Sequence, residues 1–170
     1  MNEIMAASRA GKSKSRAVKH PFAFEQFREI YSKVPRVSVD LVIQTPNGIV
    51  LTLRKLPSWN GLWHLPGVTV LYKEPVERAV RRCAREEAGA AVTVEKLLGY
   101  LEYPSEEQQR GFGSTVSLVF LCKATNTVLR ANREAAKIKA FSELSKLPVN
   151  IIDEHRPILE KLLSGQEWMS

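Results

Sequence analysis

An α/β domain is predicted for this chain by three features of its sequence. Its 170 residues fall within the range of one compact unit able to bury a real core. Two strand-like runs flank an Asn-Gly turn at Asn47-Gly48. A long stretch with helical spacing, at about 75–88, stands between these strands and a further pair.

Residues 1–20 are read as a flexible basic tail and residues 21–170 as the folded domain. The tail sets Arg9, Lys12, Lys14, Arg16 and Lys19 against Glu3, a net +4 of the chain's +7. It has too little apolar surface to order itself; RNA contact and organelle targeting are competing readings. Gly11-Lys12-Ser13 copies the end of a phosphate-binding loop, but Ala6 stands where the first glycine belongs.

Phe22, Phe24, Phe27, Ile30 and Tyr31 then predict a short amphipathic helix packed on the sheet and ended before Pro35. Residues 37–43 and 49–53 form the hairpin, whose second strand delivers Arg54 and Lys55. His64 follows, placed either toward a site or in a satisfied core or edge position. Pro75 suits the first turn of the main helix and Gly89 its end. Val76, Val80, Ala84 and Ala88 make an i, i+4 row that packs inward, with Arg82, Glu86 and Glu87 on other faces.

Residues 92–103 and 113–122 read as strands joined by a polar loop at 104–111, and 125–137 as a second loop. A final amphipathic helix takes Ile151, Ile152, Ile158, Leu159 and Leu162, with His155 in a structural position. Trp59 and Tyr103 could stack on a base or simply pack.

The composition, 44% hydrophobic and 25% charged, is that of an ordinary soluble domain. No apolar run nears the roughly 20 residues a membrane span needs. Cys83 and Cys122 lack the spacing of a disulfide framework or zinc site, so a reducing, cytoplasmic setting is expected.

Cys83, Glu86 and Glu87 are spaced i, i+3 and i+4 and form one cluster. Adjacent carboxylates repel, while hard divalent cations take oxygen ligands of this kind. A solvated acidic face is the commoner reading of such a pair taken alone.

Leu65-Pro66-Gly67, then Glu74, seven residues, Arg82, three residues, Glu86-Glu87, one residue and Gly89 resemble the Nudix box, G-x5-E-x7-R-E-U-x-E-E-x-G-U, with U aliphatic. Val68 stands for the opening glycine and Cys83 for the glutamate after the arginine, while Ala84 and Ala90 fit. The resemblance covers about residues 34–163 and implies a Nudix-type α/β/α sandwich with a mixed sheet. It further implies Mg²⁺ or Mn²⁺ held near a diphosphate by Glu86 and Glu87, with Glu87 and Arg82 in catalysis.

By the same resemblance Glu74 pairs with Arg82 to brace the loop, Gly67 contacts substrate, and Gly89 is structural. Residues 137–144 resemble the family's last strand entering a short helix. Glu134 stands near where many members place a late glutamate as metal ligand or base, and is the candidate base. A neutral thiol at Cys83 is no oxygen ligand; its structural role is set against a soft-ligand or nucleophilic one.

Pro35-x-Val37-Ser38-Val39-Asp40, Leu51-x-Leu53-Arg54 and Gly61-x-Trp63-x-x-Pro66-Gly67 are similar to the GDP-mannose mannosyl hydrolase group. That similarity implies Arg54 on the diphosphate leaving group and a dimer. The group's late-loop histidine base is missing, since no histidine lies between His64 and His155.

The function expected is metal-dependent hydrolysis of a nucleoside diphosphate-linked compound, a nucleotide sugar first. The alternatives are an inactive Nudix domain that binds nucleotide or regulates a partner, and a degenerate module that binds RNA. A nucleotide-containing small molecule is the expected partner, with no membrane and no nucleic acid.

Overall fold

The computed structural model describes residues 22–126 and 129–168, so the expected tail lies outside the described residues. Strand β1 (Arg36–Thr45) and β2 (Gly48–Arg54) form the hairpin, with Thr45 opposite Gly48 across a two-residue Pro46-Asn47 loop. Short strands β3 (Trp63–His64) and β4 (Gly67–Thr69) follow, then β5 (Val92–Glu102), β6 (Thr115–Ala124) and β7 (Ala135–Phe141). The order is β3-β2-β1-β6-β5, with β4 on β1 and β7 on β2.

The sheet is mixed: β1 runs parallel to β6 from Arg36 opposite Thr115 to Gln44 opposite Lys123, and its other pairings are antiparallel. Strand β1 pairs with β2 only at Gln44 and Thr45, and with β4 at Ser38–Asp40. The sheet therefore divides along β1, and the gap between β2 and β4 opens a cavity.

Side-chain alternation gives each face its own core. Val39, Leu41, Ile43 and Val50 pack with helix α2 (Val76–Ala88), while Val42, Ile49 and Leu51 pack with Ile158 and Leu159 of helix α4 (Arg156–Leu163). This is the expected α/β/α sandwich. On the second face Ser38 and Asp40 occupy positions continuous with Val42, and these buried polar residues line the cavity.

Helix α2 buries Val80, Ala84 and Ala88 as the i, i+4 row requires, and Ala79 and Cys83 with them. It ends where Gly89 turns left-handed at φ 63° and the Ala90 N–H reaches back to the Ala84 carbonyl. A side chain there would meet Arg130, with a Cβ 2.9 Å from that residue's Cβ.

Three expectations are corrected. Helix α1 (Phe24–Tyr31) forms but buries none of its residues in the sheet; Phe27 instead meets Phe112 and the guanidinium groups of Arg36 and Arg110. The predicted loop at 104–111 contains a short helix, α3 (Glu106–Arg110), because Glu106 is drawn inward by charged partners. Ile151 and Ile152 precede the last helix, with His155 in the 3-10 turn that leads into it.

Candidate active site

The gap along β1 encloses about 410 Å³, within the usual size of a ligand pocket. Carboxylates gather at one end and guanidinium groups along its wall.

At the carboxylate end Glu87, one turn beyond Cys83 on α2, is 9% exposed and accepts a 2.6 Å hydrogen bond from Asn132 Nδ2. Burial, then the nearby Glu134 charge, pushes its carboxyl up to about 7. Glu86 meets Arg82 Nη1 at 3.2 Å. Glu134 is exposed at the rim, and its backbone is fixed by N–H donation to Asn132 Oδ1 and by accepting from the Lys55 N–H.

Arg82 is committed to the loop before α2. Its Nε and Nη2 donate to the two oxygens of Glu74 at 2.8 Å each, and Nη2 also reaches the Thr69 carbonyl. Glu74 in turn accepts from the Leu71 N–H. Both partners are nearly buried, and the fork-to-carboxylate geometry is the strong form of an ion pair. Val68 sits in β4 opposite Val39 without positive φ, so the missing glycine leaves the strand undisturbed.

Cys83 is fully buried in the core beneath the site, and burial followed by the Glu87 charge raises its thiol well above the usual range. The clustering of Cys83 with Glu86 and Glu87 is therefore corrected: helical twist turns the thiol into the sheet. Enclosed in the core and absent from the cavity lining, the thiol meets neither substrate nor cation.

The cavity wall opposite carries Arg54. Its Nε donates to the Ser58 carbonyl at 2.7 Å, and neither terminal nitrogen has a hydrogen-bond partner among the described residues. Burial lowers its pKa, opposed by Glu134 and then Glu87. The same indole, Trp59, lies against Arg54 and Arg110, each guanidinium carbon 5.6 Å from the ring centre. Trp59 Nε1 donates to Ser105 Oγ, so the ring is held by packing and hydrogen bonding.

A directed hydrogen-bond chain forms the floor. The Leu65 N–H donates to His155 Nδ1, which leaves the His155 proton on Nε2 beside Tyr103 Oη at 2.5 Å. Tyr103 Oη then donates to Asp40 Oδ2 at 2.5 Å. Burial raises Asp40 to about 6 and lowers His155 to about 4. His64 uses both ring nitrogens, toward Thr52 Oγ1 and the Leu65 carbonyl, and burial lowers it to about 3. His64 thus stands in a satisfied position on the cavity wall.

These shifts predict an acid-sensitive fold. His64 and His155 are held neutral, so below about pH 6.5 the unfolded chain binds protons that the folded chain refuses, and stability falls toward pH 4. Asp40, shifted upward, acts in the opposite sense between about pH 6 and 4. His155→Asn should reduce the stability lost between pH 6.5 and 4.5 by about 2 kcal/mol. Chemical denaturation at both pH values checks this, and an unchanged loss would contradict it.

Of the residues singled out in the sequence, Arg54, Gly67, Arg82, Glu86, Glu87 and Glu134 line this cavity, whereas Cys83 does not. Asp40 was read only as the end of a motif, and Arg36, Arg110 and Asn132 went unnoticed. Asp40 had a signal, a lone acid inside the apolar run Val37–Ile43; Arg36 and Arg110 had none, because Arg36 meets Glu106 across 70 residues and the i, i+4 pair of Arg110 with Glu106 gains its place only from that contact.

The carboxylate end suits a hard divalent cation. Its donors are all oxygen, and like charges already raise Glu87. Among the described residues no group of three His, Cys, Asp or Glu side chains could cage a metal alone. Mg²⁺ does not require such a cage, since it commonly takes one or two carboxylates together with substrate phosphates and water.

The model of the NUDIX domain family matches residues 34–162. A low-salt glycan biosynthesis protein of Haloferax volcanii, Agl8, is 40% identical over 79 residues, 46% of this chain and 51% of that protein, so the match spans about half its length. An ADP-ribose pyrophosphatase of Methanocaldococcus jannaschii is 34% identical over 124 residues, 73% of this chain and 71% of that one. A MutT NUDIX hydrolase from Burkholderia pseudomallei has a similar structure, with 30% identity, TM-score 0.64, and coverage of 75% of this chain and 97% of that one. A NUDIX hydrolase from Nitrosomonas europaea, at 21% identity, shares the fold with TM-score 0.69 over 80% of this chain and 76% of that one.

Proposed function

Because this chain belongs to the Nudix hydrolase family, we propose that it hydrolyses the diphosphate bridge of a nucleoside diphosphate-linked sugar, ADP-ribose included. One observation carries the reading: Glu86, Glu87 and Glu134 share a cavity with Arg54, whose terminal nitrogens have no hydrogen-bond partner among the described residues. That is the charge pattern a cation and a diphosphate need together.

Glu86 and Glu87 would hold Mg²⁺ or Mn²⁺, which when bound polarises a phosphoryl oxygen as a Lewis acid. Arg54 donates to the diphosphate oxygens and takes up the charge that develops on the leaving phosphate. Gly67 leaves room for the Asp40 carboxylate against β4, in the cavity wall that the substrate would face. Arg82 is a positioning residue, holding Glu86 and, through Glu74, the loop. Glu134 accepts the proton of the attacking water; the water oxygen joins phosphorus, and a bridging P–O bond breaks with its electron pair leaving on oxygen.

Attack at phosphorus is favoured over attack at sugar carbon because the late loop has no histidine, and His64 and His155 use their ring nitrogens in the cavity wall. The relative named ADP-ribose pyrophosphatase supports the same bond. A second reading, nucleotide binding without turnover, is favoured by the neutral thiol at Cys83.

A panel of nucleotide sugars, ADP-ribose, dinucleoside polyphosphates and nucleoside triphosphates, assayed with Mg²⁺ and Mn²⁺, separates these readings. The reading expects a nucleoside monophosphate and a sugar phosphate as products. Release of free sugar with nucleoside diphosphate would place the attack at carbon, and binding without any product would support the second reading.

A further inference from the structure

Beyond the diphosphate contact at Arg54, the same wall carries a second concentration of positive charge. Glu106, 1% exposed, accepts from Arg36 Nη2 at 2.8 Å and pairs with Arg110 Nη1 at 3.2 Å, and its other oxygen accepts from Thr115 Oγ1. One carboxylate thus faces two guanidinium groups. Arg36 also acts on the Asp40 carboxylate, whereas among the described residues Arg110 has no acid partner but the shared Glu106, and a half-compensated charge in a poorly solvated wall favours an incoming anion.

The two arginines are not equivalent. Arg36 is fixed through all three nitrogens, to Thr115, Thr69 and Glu106. Among the described residues Arg110 has one ion pair, with Glu106, and its guanidinium carbon lies 5.8 Å from the Phe27 ring centre and 5.6 Å from that of Trp59. The two rings hold the guanidinium by cation–π attraction and leave its remaining N–H groups without a hydrogen-bond acceptor among the described residues. Arg54 is 5.6 Å from the same Trp59 centre, so its charge and that of Arg110 lie within about 11 Å of one another. Burial, then the charge of Arg36, lowers Arg110 to about 10, as crowding of cations requires.

We propose that Arg110, set by Arg36 and Glu106, forms a second anion subsite beside Arg54, so that the preferred substrate carries a further phosphate or carboxylate beyond its diphosphate. This deepens the proposed hydrolase reading and rests on it for the placement of the diphosphate. A neutral sugar could hydrogen-bond to Arg110 but would leave the extra charge uncompensated.

Matched substrate pairs test the subsite: UDP-glucuronate against UDP-glucose for a carboxylate, and 2′-phospho-ADP-ribose against ADP-ribose for a phosphate. At least one charged member should show a KM about tenfold below its neutral partner, and the pair that does so identifies the anion. Arg110→Gln should bring that ratio close to one, while Arg110→Lys, which keeps the charge, should retain part of it. Raising the ionic strength should also reduce the preference.

Equal KM values in both pairs, or a ratio that survives Arg110→Gln, would overturn the proposal. Calorimetric binding of the same four compounds without metal gives the corresponding Kd ratio independently of turnover. A charge preference in binding with no hydrolysis would keep the subsite and remove the hydrolase reading. Circular dichroism of both variants shows that they remain folded, and if Arg110→Gln does not, Arg110→Lys and the salt dependence decide.

Discussion

Glu87→Gln should lower metal-dependent turnover about a thousandfold while making the metal-free protein more stable. The activity loss follows from removing one of two carboxylates proposed to hold the cation: a bound metal contributes several kcal/mol to catalysis, and each 1.4 kcal/mol is a factor of ten. The stability gain follows from the raised carboxyl. Folding moves Glu87 from its ordinary value to about 7, so above that pH the fold carries a charge that the unfolded chain holds at less expense.

Glutamine has no such charge, and its side-chain oxygen can still accept from Asn132 Nδ2. At pH 8 without metal, the variant should gain about 3 kcal/mol, and the gain should shrink toward pH 5. Steady-state kinetics and chemical denaturation read the two effects. Full activity in the variant would remove Glu87 from the site, and a loss of stability would mean that its charge is compensated in the fold.

Gly67→Ala should damage both stability and activity. An added Cβ would lie 2.0 Å from Asp40 Oδ1 and 3.2 Å from the Val39 carbonyl. Asp40 is itself buried and held by Tyr103, so it cannot swing into solvent. Moving it breaks the chain from His155 through Tyr103 and leaves buried polar groups unpaired, at about 1–3 kcal/mol for each group. A stability loss of about 3 kcal/mol and a fall in kcat/KM of at least about tenfold are expected. A variant with wild-type melting and kinetics would show that β4 can shift freely from β1.

This glycine illustrates what the sequence made legible. The resemblance singled it out as a substrate contact, whereas the structure supplies a physical reason for glycine there, the approach of the Asp40 carboxylate. Helix α2 and the β1–β2 hairpin were readable because their signals are local: an i, i+4 row ended by a glycine, and two apolar runs around a tight turn. Helix α3 was not, because its sequence is polar. It is ordered by Glu106, whose partners Arg36 and Thr115 come from other strands.

Cys83 was legible as a departure but not as a direction. Its spacing to Glu86 and Glu87 allowed a common cluster, and only the packing of α2 on β1 shows that the thiol points into the core. The cavity itself depends on β1 pairing with β2 at one end and β4 at the other, a register that local periodicity does not encode.

If Glu86 and Glu87 bind a cation jointly with substrate phosphates, the site works without a carboxylate at Cys83. Titration of Mn²⁺ into the protein, with and without a non-hydrolysable nucleoside diphosphate analogue, tests this most directly. The account predicts weak binding alone, at least about tenfold tighter binding with the analogue, and loss of that coupling in Glu87→Gln. Mn²⁺ affinity that is the same with and without the analogue, or unaltered in Glu87→Gln, would contradict it.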